Sequence, residues 1–348
     1  MEHYVGLDVS QRVTHVCIID AKAQIVWQGK CASTPEAIAE TIKSYAPNAE
    51  RVGLESGPLS IWHYHGLKEL GILAVCIDAR HTQAALSMQI NKTDKNDARV
   101  MAELMRMGWY REVAAVKALD SHTVRSMLGV RYQLVGMHTN IINQLRGILK
   151  TYGIVLPPDF GKRHEESIEQ LCEEHHGVLF DTLAVLLSLY RGLKQQISIL
   201  DNLLARYARS SPTCRVLMTI PGIGVLTAAA FVSAIDDPKR FARSHLVGAY
   251  LGLTPRRHQS GEVDRNGRIA KCGDPLVRCY LFDAATSLLT RGHQWSAVKA
   301  WGLRVAKRRG MKRAKVAVAR KLATIMHRMW LTGQPFRFES AEVAMTDA

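Results

Sequence analysis

The chain has 348 residues, 47% of them hydrophobic, and its formal net charge is +15. This apolar content excludes a mainly disordered protein, and the length predicts two domains that can each bury a core. The excess of Lys and Arg predicts a polyanionic partner, with DNA or RNA ahead of an anionic membrane surface. No apolar run approaches the roughly 18 residues of a membrane span, and the N-terminus shows no signal-peptide pattern. We therefore expect a cytoplasmic protein with no membrane partner.

Seven cysteines are scattered along the chain without any Cys-x-x-Cys pair. This distribution argues against a zinc finger and against a disulfide scaffold. It fits the reducing environment of a cytoplasm.

The first third of the chain alternates between strand and helix patterns. Residues 3–31 predict three consecutive strands, and Thr34-Pro35-Glu36 has the cap, proline and acid of a helix start. Strand 51–55, helix 58–70, strand 72–78 and helix 80–90 follow. Three early strands followed by α/β alternation are typical of an RNase H-like sheet, although other mixed α/β domains share this order.

Four acidic residues in this segment are candidate metal ligands. Asp8 and Glu55 each end a short apolar strand pattern, and Asp94 and Asp97 lie three residues apart at the start of a helix. Residues three apart share a helix face, so the two aspartates can aim at one point. Taken singly, an acid in such a position is more often a turn or cap residue. Together, in a cationic protein, the four predict a cage for one or two Mg²⁺ ions acting on phosphate.

The middle of the chain predicts long helices. Residues 115–150 have helical apolar spacing, Pro157-Pro158 interrupts it, and 165–209 resumes it with a spacing similar to a coiled coil. This second stretch fits helix packing within one protomer or dimerisation equally well. The sequence therefore predicts an α/β domain at 1–157, a helical coiled-coil linker at 158–212, a mainly α domain at 213–338 and a tail at 339–348.

The mainly α domain begins with two glycines that could approach a phosphate backbone. Gly222 and Gly224 lie in the segment Thr219–Ala228, which is similar to the turn of a helix-hairpin-helix module. Glycine lets the backbone come close to a ligand, and the N-terminus of the next helix favours an anion. A plain turn between two helices explains the pattern about as well.

The C-terminal part is strongly basic. From Ala284 to Phe338 there is no acid, whereas Lys and Arg number thirteen, and Trp301–Trp330 has a helical pattern broken at Gly310. Positive side chains concentrated in this way repel one another unless they bind an anion. We therefore predict contact with nucleic acid rather than a merely solvated face. The residues expected to make this contact are Arg308, Arg309, Lys312, Arg313 and Lys315.

Two sets of motifs resemble one family of proteins. The first set is Gly6-Leu7-Asp8, Leu54-Glu55-Ser56-Gly57 and Lys92-Thr93-Asp94-x-x-Asp97-Ala98. The second set is Pro221-Gly222-Ile223-Gly224, Gly252-Leu253-Thr254-Pro255 and Ser260-Gly261. Both are similar to the DEDD family of bacterial insertion-sequence transposases, whose N-terminal domain resembles the RuvC Holliday-junction resolvase. The resemblance covers most of the chain.

This resemblance implies a second catalytic group besides the four acids. In that family the serine of the Ser-Gly pair is the nucleophile, so Ser260 would attack the phosphodiester and hold the 5′ end as a phosphoserine. By sequence alone, Ser260 lies in a polar, glycine-bearing loop and is typical of a turn residue. The residues around it that could hold the scissile phosphate are Arg256, Arg257, His258, Arg265 and Arg268.

The resemblance also implies partners. These are donor and target DNA, a structured guide RNA from the element, and further copies of the chain as dimers that join into a tetramer, all near the bacterial nucleoid. Because Asp8 and Ser260 are far apart in sequence, we hypothesise that the acids of one protomer serve the serine of another. Two alternatives stay open: a metal-only nuclease of the resolvase type, and a non-enzymatic nucleic-acid-binding protein whose acids are only caps.

Overall fold

A computed structural model of the protein describes residues 2–87, 93–110, 116–156, 160–174, 177–261, 263–291 and 294–338. Several features of the sequence analysis lie outside them: the end of the predicted helix 80–90 at 88–90, Lys92, residue 115, the Pro157-Pro158 interruption and the tail at 339–348. The chain divides into two compact units, Met1–Lys117 and Ala118–Ala348. No helix in the described part of the chain is both long and apolar enough to span a membrane.

The first unit is built on a five-stranded mixed sheet with the order β3-β2-β1-β4-β5. The strands pair antiparallel from β1 to β2 and from β2 to β3, and parallel from β1 to β4 and from β4 to β5. Their bounds are β1 His3–Val9, β2 Val13–Asp20, β3 Ile25–Ala32, β4 Ala49–Glu55 and β5 Ala74–Ile77. The predicted mixed α/β architecture is thus confirmed.

Helices cover both faces of this sheet. They are α1 Pro35–Tyr45, α2 Ser60–Glu69, α3 Ala79–Leu86 and α4 Asp94–Met107. One core contains Leu7, Leu54 and Ile38 together with Leu67 of α2. The core on the opposite face contains Cys17 and Ile77 of the sheet and Met101, Leu104 and Met105 of α4. Alternation of side chains along each strand produces the two cores, because successive residues point to opposite faces.

The second unit is mainly helical. Its helices are α5 Leu119–Thr151, α6 Lys162–Glu174, α7 Val178–Ser210, α8 Pro212–Leu217, α9 Val225–Ile235, α10 Leu246–Tyr250, α11 Pro275–Thr290, α12 Ala297–Arg309 and α13 Met311–Thr332. A two-stranded sheet interrupts them, made of β6 Pro255–Ser260 and β7 Val263–Ile269. The predicted helices of the basic segment are present, with the break at Gly310, whose φ is +82°.

The large core of this unit extends across the sequence-based boundary at 212. Leu128 of α5 and Leu204 of α7 belong to the same buried cluster as Phe231 of α9 and Leu322 of α13. Ser211, at the end of the predicted linker, is the N-cap of α8 and accepts a hydrogen bond from the backbone N–H of Cys214 at 3.2 Å. The chain therefore passes this point without leaving the core.

The apolar stripe that resembled a coiled coil is used within one chain. Leu186, Tyr190 and Leu193 of α7 pack in or against a smaller core that includes Leu145 of α5 and Ile168 of α6. Of the two interpretations of this stripe, helix packing within a protomer accounts for these contacts. Dimerisation through the helical segment stays a prediction.

Candidate functional site

The four predicted acids come to one edge of the sheet in the first unit. The parallel register of β1 and β4 aligns Gly6 with Gly53 and Leu7 with Leu54. Asp8 and Glu55 are the next residues of the two strands, so they lie side by side at the carboxyl ends. Each strand thus carries the same Gly-Leu-acid sequence, in register.

The glycines of these two motifs set the position of α4. A Cβ added to Gly6 would overlap the backbone of Ala98 and Ala102 and lie 2.8 Å from the Cβ of Met101. A Cβ on Gly53 would lie 2.7 Å from the Sδ of Met105. Because residues two apart in a strand share a face, Asp8 and Glu55 are on the same face as these glycines, the face that α4 covers.

The remaining two acids are in the first turn of α4. The side chain of Thr93 caps the helix by accepting a hydrogen bond from the backbone N–H of Asn96 at 3.2 Å. Asp97 is 9% exposed, whereas the side chain of Asp94 is 70% exposed. The helix dipole favours both carboxylates at this end. The Nε2–H of Gln28 in β3 also donates to the carbonyl of Lys95 at 2.9 Å, which fixes the start of α4 to the sheet.

His15 belongs to this edge and was missed by the sequence analysis. It pairs with Asp8 in the β1–β2 register, and its Nε2 lies 3.7 Å from Oδ2 of Asp94. It therefore stands beside a strand acid and a helix acid at once. The signal that could have found it is the β1–β2 hairpin, whose register places a histidine opposite Asp8.

The donor chemistry of this edge suits a hard divalent cation. Carboxylate oxygens are the ligands that such a cation prefers. The four predicted acids come from two strands and from a helix packed directly on them. In the described part of the chain, the side chains do not converge into a group of three or more His, Cys, Asp or Glu residues that could hold a metal. The backbone thus places the four acids at the same edge of the sheet, while their side chains are not gathered into a metal-binding group.

Ser260 is at the end of a strand rather than in a loop, which corrects the sequence analysis. It is the last residue of β6, and every residue of that strand is exposed. Gly261 follows in the left-handed region at φ +56°. The segment Pro255–Ser260 has no apolar alternation that would reveal a strand, because neither of its faces is buried.

The base of this hairpin is tightly fixed. A Cβ on Gly252 would overlap the backbone of Cys272, and a Cβ on Gly273 would overlap the carbonyl of Tyr250. The segment before β6 and the segment after β7 are therefore in direct backbone contact. The Nη1–H groups of Arg278 in α11 donate to the carbonyls of Leu251, at 3.1 Å, and Cys272. The strands therefore project from a rigid base.

Two of the arginines expected to hold phosphate have partners in the hairpin itself. Arg256 donates to the carbonyl of Ala270 at 3.1 Å. Arg257 makes a two-point ion pair with Asp264, with Nε–Oδ1 at 2.9 Å and Nη2–Oδ2 at 2.8 Å. Those hydrogen bonds raise the pKa of the Arg257 guanidinium, which stays charged at any physiological pH.

The two glycines before α9 have different environments. Gly222 has φ +86°, and a Cβ there would lie 2.7 Å from the carbonyl oxygen of Ala284 in α11. Its contact with α11 gives Gly222 a packing role. Gly224 is exposed, has open space around its Cα and precedes the first residue of α9. Only Gly224 therefore presents backbone that a phosphate could approach.

The basic residues of α12 and α13 gather at the turn between the two helices. Arg308, Arg309, Lys312 and Arg313 are exposed there, on either side of Gly310. Lys315 is half-buried, with Nζ 5.7 Å from the centre of the Phe282 ring. The first four therefore form an exposed cationic corner, whereas Lys315 also packs on an aromatic ring.

Comparison with known proteins identifies the family. Residues 5–154 match a DEDD-type transposase domain of the IS110 group, and residues 214–300 match the domain described as Transposase IS116/IS110/IS902 family. The first match contains Asp8, Glu55, Asp94 and Asp97, and the second contains Ser260.

Relatives match over most of the chain. The transposase for insertion sequence element IS1111A of Coxiella burnetii is 29% identical over 338 residues, which are 96% of this chain and 91% of the relative. A probable family 20 transposase of Pseudomonas aeruginosa is 25% identical, over 92% of this chain and 95% of its own. A pilin gene-inverting protein of Moraxella bovis is 26% identical, over 65% and 75% respectively.

These matches carry general consequences for fold and activity. A DEDD transposase domain implies an RNase H-like fold for the first unit and suggests dependence on a divalent metal ion. Membership implies an enzyme of DNA strand transfer. The chain belongs to the DEDD insertion-sequence transposase family of the IS110 type.

Proposed function

We propose that this transposase cuts and rejoins DNA through a covalent 5′-phosphoserine at Ser260, with Mg²⁺ held by Asp8, Glu55, Asp94 and Asp97. The observation that carries the metal half is the in-register Gly-Leu-acid pair on β1 and β4, covered by the helix that bears the other two acids. If the four acids served only as caps or turn residues, nothing would require them to lie at one edge of the sheet.

The four carboxylates would hold one or two divalent ions, and Mg²⁺ is the proposal because all four donors are oxygens. When bound, the ion supplies positive charge that stabilises charge developing on the phosphate oxygens. Asp97 is the most buried of the acids on α4, and its position in the helix holds its carboxylate in place. Asp94 is exposed and can move toward the strand acids.

Ser260 performs the covalent step in this proposal. Its Oγ attacks the phosphorus, the Oγ–P bond forms, and the bond from phosphorus to the 3′ oxygen breaks. The serine proton leaves, and the released 3′ oxygen takes up a proton to become a hydroxyl. One phosphodiester is exchanged for another, so the strand can be rejoined by the reverse attack.

Nucleic-acid partners follow from the charge and the exposed cations. The cationic corner of Arg308, Arg309, Lys312 and Arg313 suits a phosphate backbone. We propose donor and target DNA as substrates and a structured guide RNA that supplies sequence specificity by base pairing. Assembly as dimers that join into a tetramer, with acids and serine contributed by different protomers, belongs to the same proposal.

The test uses the full chain with DNA that carries the two ends of its insertion element and RNA transcribed from that element. Wild-type protein should yield DNA attached through its 5′ phosphate to Ser260, identified by mass spectrometry after digestion. Ser260→Ala should bind DNA normally and neither cut nor attach it. If Ser260→Ala cuts as fast as wild type, the protein is a metal-only nuclease. If Mg²⁺ produces no cleavage with any variant, wild type included, the enzymatic proposal is wrong.

A further inference from the structure

We propose that His258 and Arg265 act beside Ser260 in the strand-cutting step, His258 as the base that takes the serine proton and Arg265 as the cation that binds the scissile phosphate. This inference rests on the proposed role of Ser260. It selects two residues from a hairpin in which most side chains are polar or charged.

The register of the hairpin gives it two distinct faces. His258 pairs with Arg265, and Gln259 pairs with Asp264. Side chains directly opposite each other in an antiparallel pair lie on one face, and successive side chains alternate between faces. Ser260, His258 and Arg265 therefore share one face, which we name the serine face. Gln259 and Asp264 are on the other, the back face.

The ion pair between Arg257 and Asp264 supports this assignment independently. Arg257 is two residues from Gln259, so alternation places it on the back face. Its guanidinium reaches the carboxylate of Asp264 with contacts of 2.9 and 2.8 Å. A diagonal contact of this kind is within reach of a long side chain only on a shared face. The back face thus carries a mutually neutralised pair.

The serine face keeps its polar groups available. Within the part of the chain that the structure describes, no hydrogen bond or ion pair engages the side chains of Ser260, His258 or Arg265. All three residues are exposed. An unengaged guanidinium presents donors that fit two phosphate oxygens at once. An imidazole two residues from a serine on the same face can reach its hydroxyl from an extended strand.

The chemistry then divides between the two residues. The neutral imidazole of His258 accepts the proton from Ser260 Oγ as the Oγ–P bond forms and the bond to the 3′ oxygen breaks. Arg265 binds the non-bridging oxygens and stabilises the charge that grows on them in the transition state. The imidazolium returns its proton to solvent, and the 3′ oxygen gains one from solvent, so protons balance over the step. Two charged side chains share the serine face with His258: Arg265, directly opposite it, and Arg256, two residues before it, which donates to the carbonyl of Ala270.

The experiment compares three single substitutions in the full chain: His258→Gln, Arg265→Gln and, as control, Gln259→Ala. Gln259 lies between His258 and Ser260 in sequence, but its side chain is on the back face. The rate of covalent protein–DNA adduct formation is measured at saturating DNA across a pH series, and DNA affinity is measured separately. Because His258, Gln259 and Arg265 are all exposed, none of the three changes should lower the melting temperature.

We expect His258→Gln to slow adduct formation by about 100-fold or more and to flatten its rise with pH. Arg265→Gln should slow it by about 100-fold at saturating DNA, with partial recovery in Arg265→Lys. Gln259→Ala should match wild type. If all three variants form adduct at the wild-type rate, the inference is overturned while Ser260 keeps its role. If Arg265→Gln loses affinity but not rate, Arg265 is a docking residue instead. If wild type itself forms no adduct, both proposals fall.

Discussion

Gly6 of β1 lies directly under Ala102 of α4, with no space for even a methyl group between the strand and the helix backbone. This contact brings the first turn of α4, with Asp94 and Asp97, to the sheet edge where Asp8 and Glu55 end their strands. The glycine of each Gly-Leu-acid motif is therefore part of the candidate site, because it sets where α4 packs.

Replacing Gly6 by Ala should displace α4 from the sheet. The added methyl group must push the helix backbone away, and overpacking of this kind costs about 1–3 kcal/mol. We expect a lower free energy of unfolding in denaturant titrations and a loss of strand cleavage larger than the stability change explains. Gly136→Ala is the matched control, because Gly136 lies in α5 with open space around it and alanine favours the helix. Equal behaviour of the two variants would show that the strand–helix contact does not position the acids.

Neutralising the acids should abolish cleavage without unfolding the protein. Asp97→Asn and Asp8→Asn each remove one negative ligand while keeping nearly the same shape. We expect loss of Mg²⁺-dependent strand cleavage and weaker Mn²⁺ binding by electron paramagnetic resonance, with near-normal DNA affinity. Cleavage at wild-type rates by both variants would exclude a metal site at this edge.

The sheet and several helix ends could be predicted from the sequence because their signals are local. Apolar strand runs, the Thr34 cap and the break at Gly310 each depend on a few neighbouring residues. The alignment of Asp8 with Glu55 could be expected from the repeated Gly-Leu-acid motif. The role of the two glycines in this motif could not be predicted from the sequence, because that role depends on which helix packs against which strand.

The features that escaped the sequence depend on pairing between distant residues. His15 becomes relevant only through its register opposite Asp8. Strand β6, which ends at Ser260, has no buried face, so it carries none of the period-two alternation that reveals a strand. The ion pair between Arg257 and Asp264 depends on the β6–β7 register, which the sequence does not reveal. The difference between the two faces of the hairpin depends on the same register.

The cationic corner should dominate the salt dependence of nucleic-acid binding. Lys312→Gln combined with Arg313→Gln removes two exposed charges, and each phosphate contact contributes about 0.9 to the slope of log affinity against log salt. The double variant should therefore flatten the slope by nearly 2. Lys43→Gln combined with Lys162→Gln removes the same charge from exposed positions on α1 and α6 and should leave the slope unchanged. If the salt dependence of affinity has the same slope in both double variants, the cationic corner does not bind nucleic acid.

Asp236 should stabilise the second unit by capping a helix from a distance. It has φ +66° and ψ −68°, and the N–H of Asp237 bonds to the carbonyl of Ile235 at 2.9 Å, which defines a strained three-residue turn. In this conformation its carboxylate accepts the backbone N–H of Ala118, with both oxygens at 3.2 Å, just before α5 begins. Ala118 provides no side-chain cap of its own.

Two substitutions separate the cap from the strain. Asp236→Ala loses the cap and keeps the strain, so we expect a loss of about 1 kcal/mol or more in the free energy of unfolding. Asp236→Gly loses the same cap but adopts a positive φ without a Cβ penalty, so it should be less destabilising than Ala. Hydrogen exchange at the Ala118 amide should be faster than wild type in both variants. If that amide stays as protected as in wild type, Asp236 does not cap α5, and its turn must be held by other contacts.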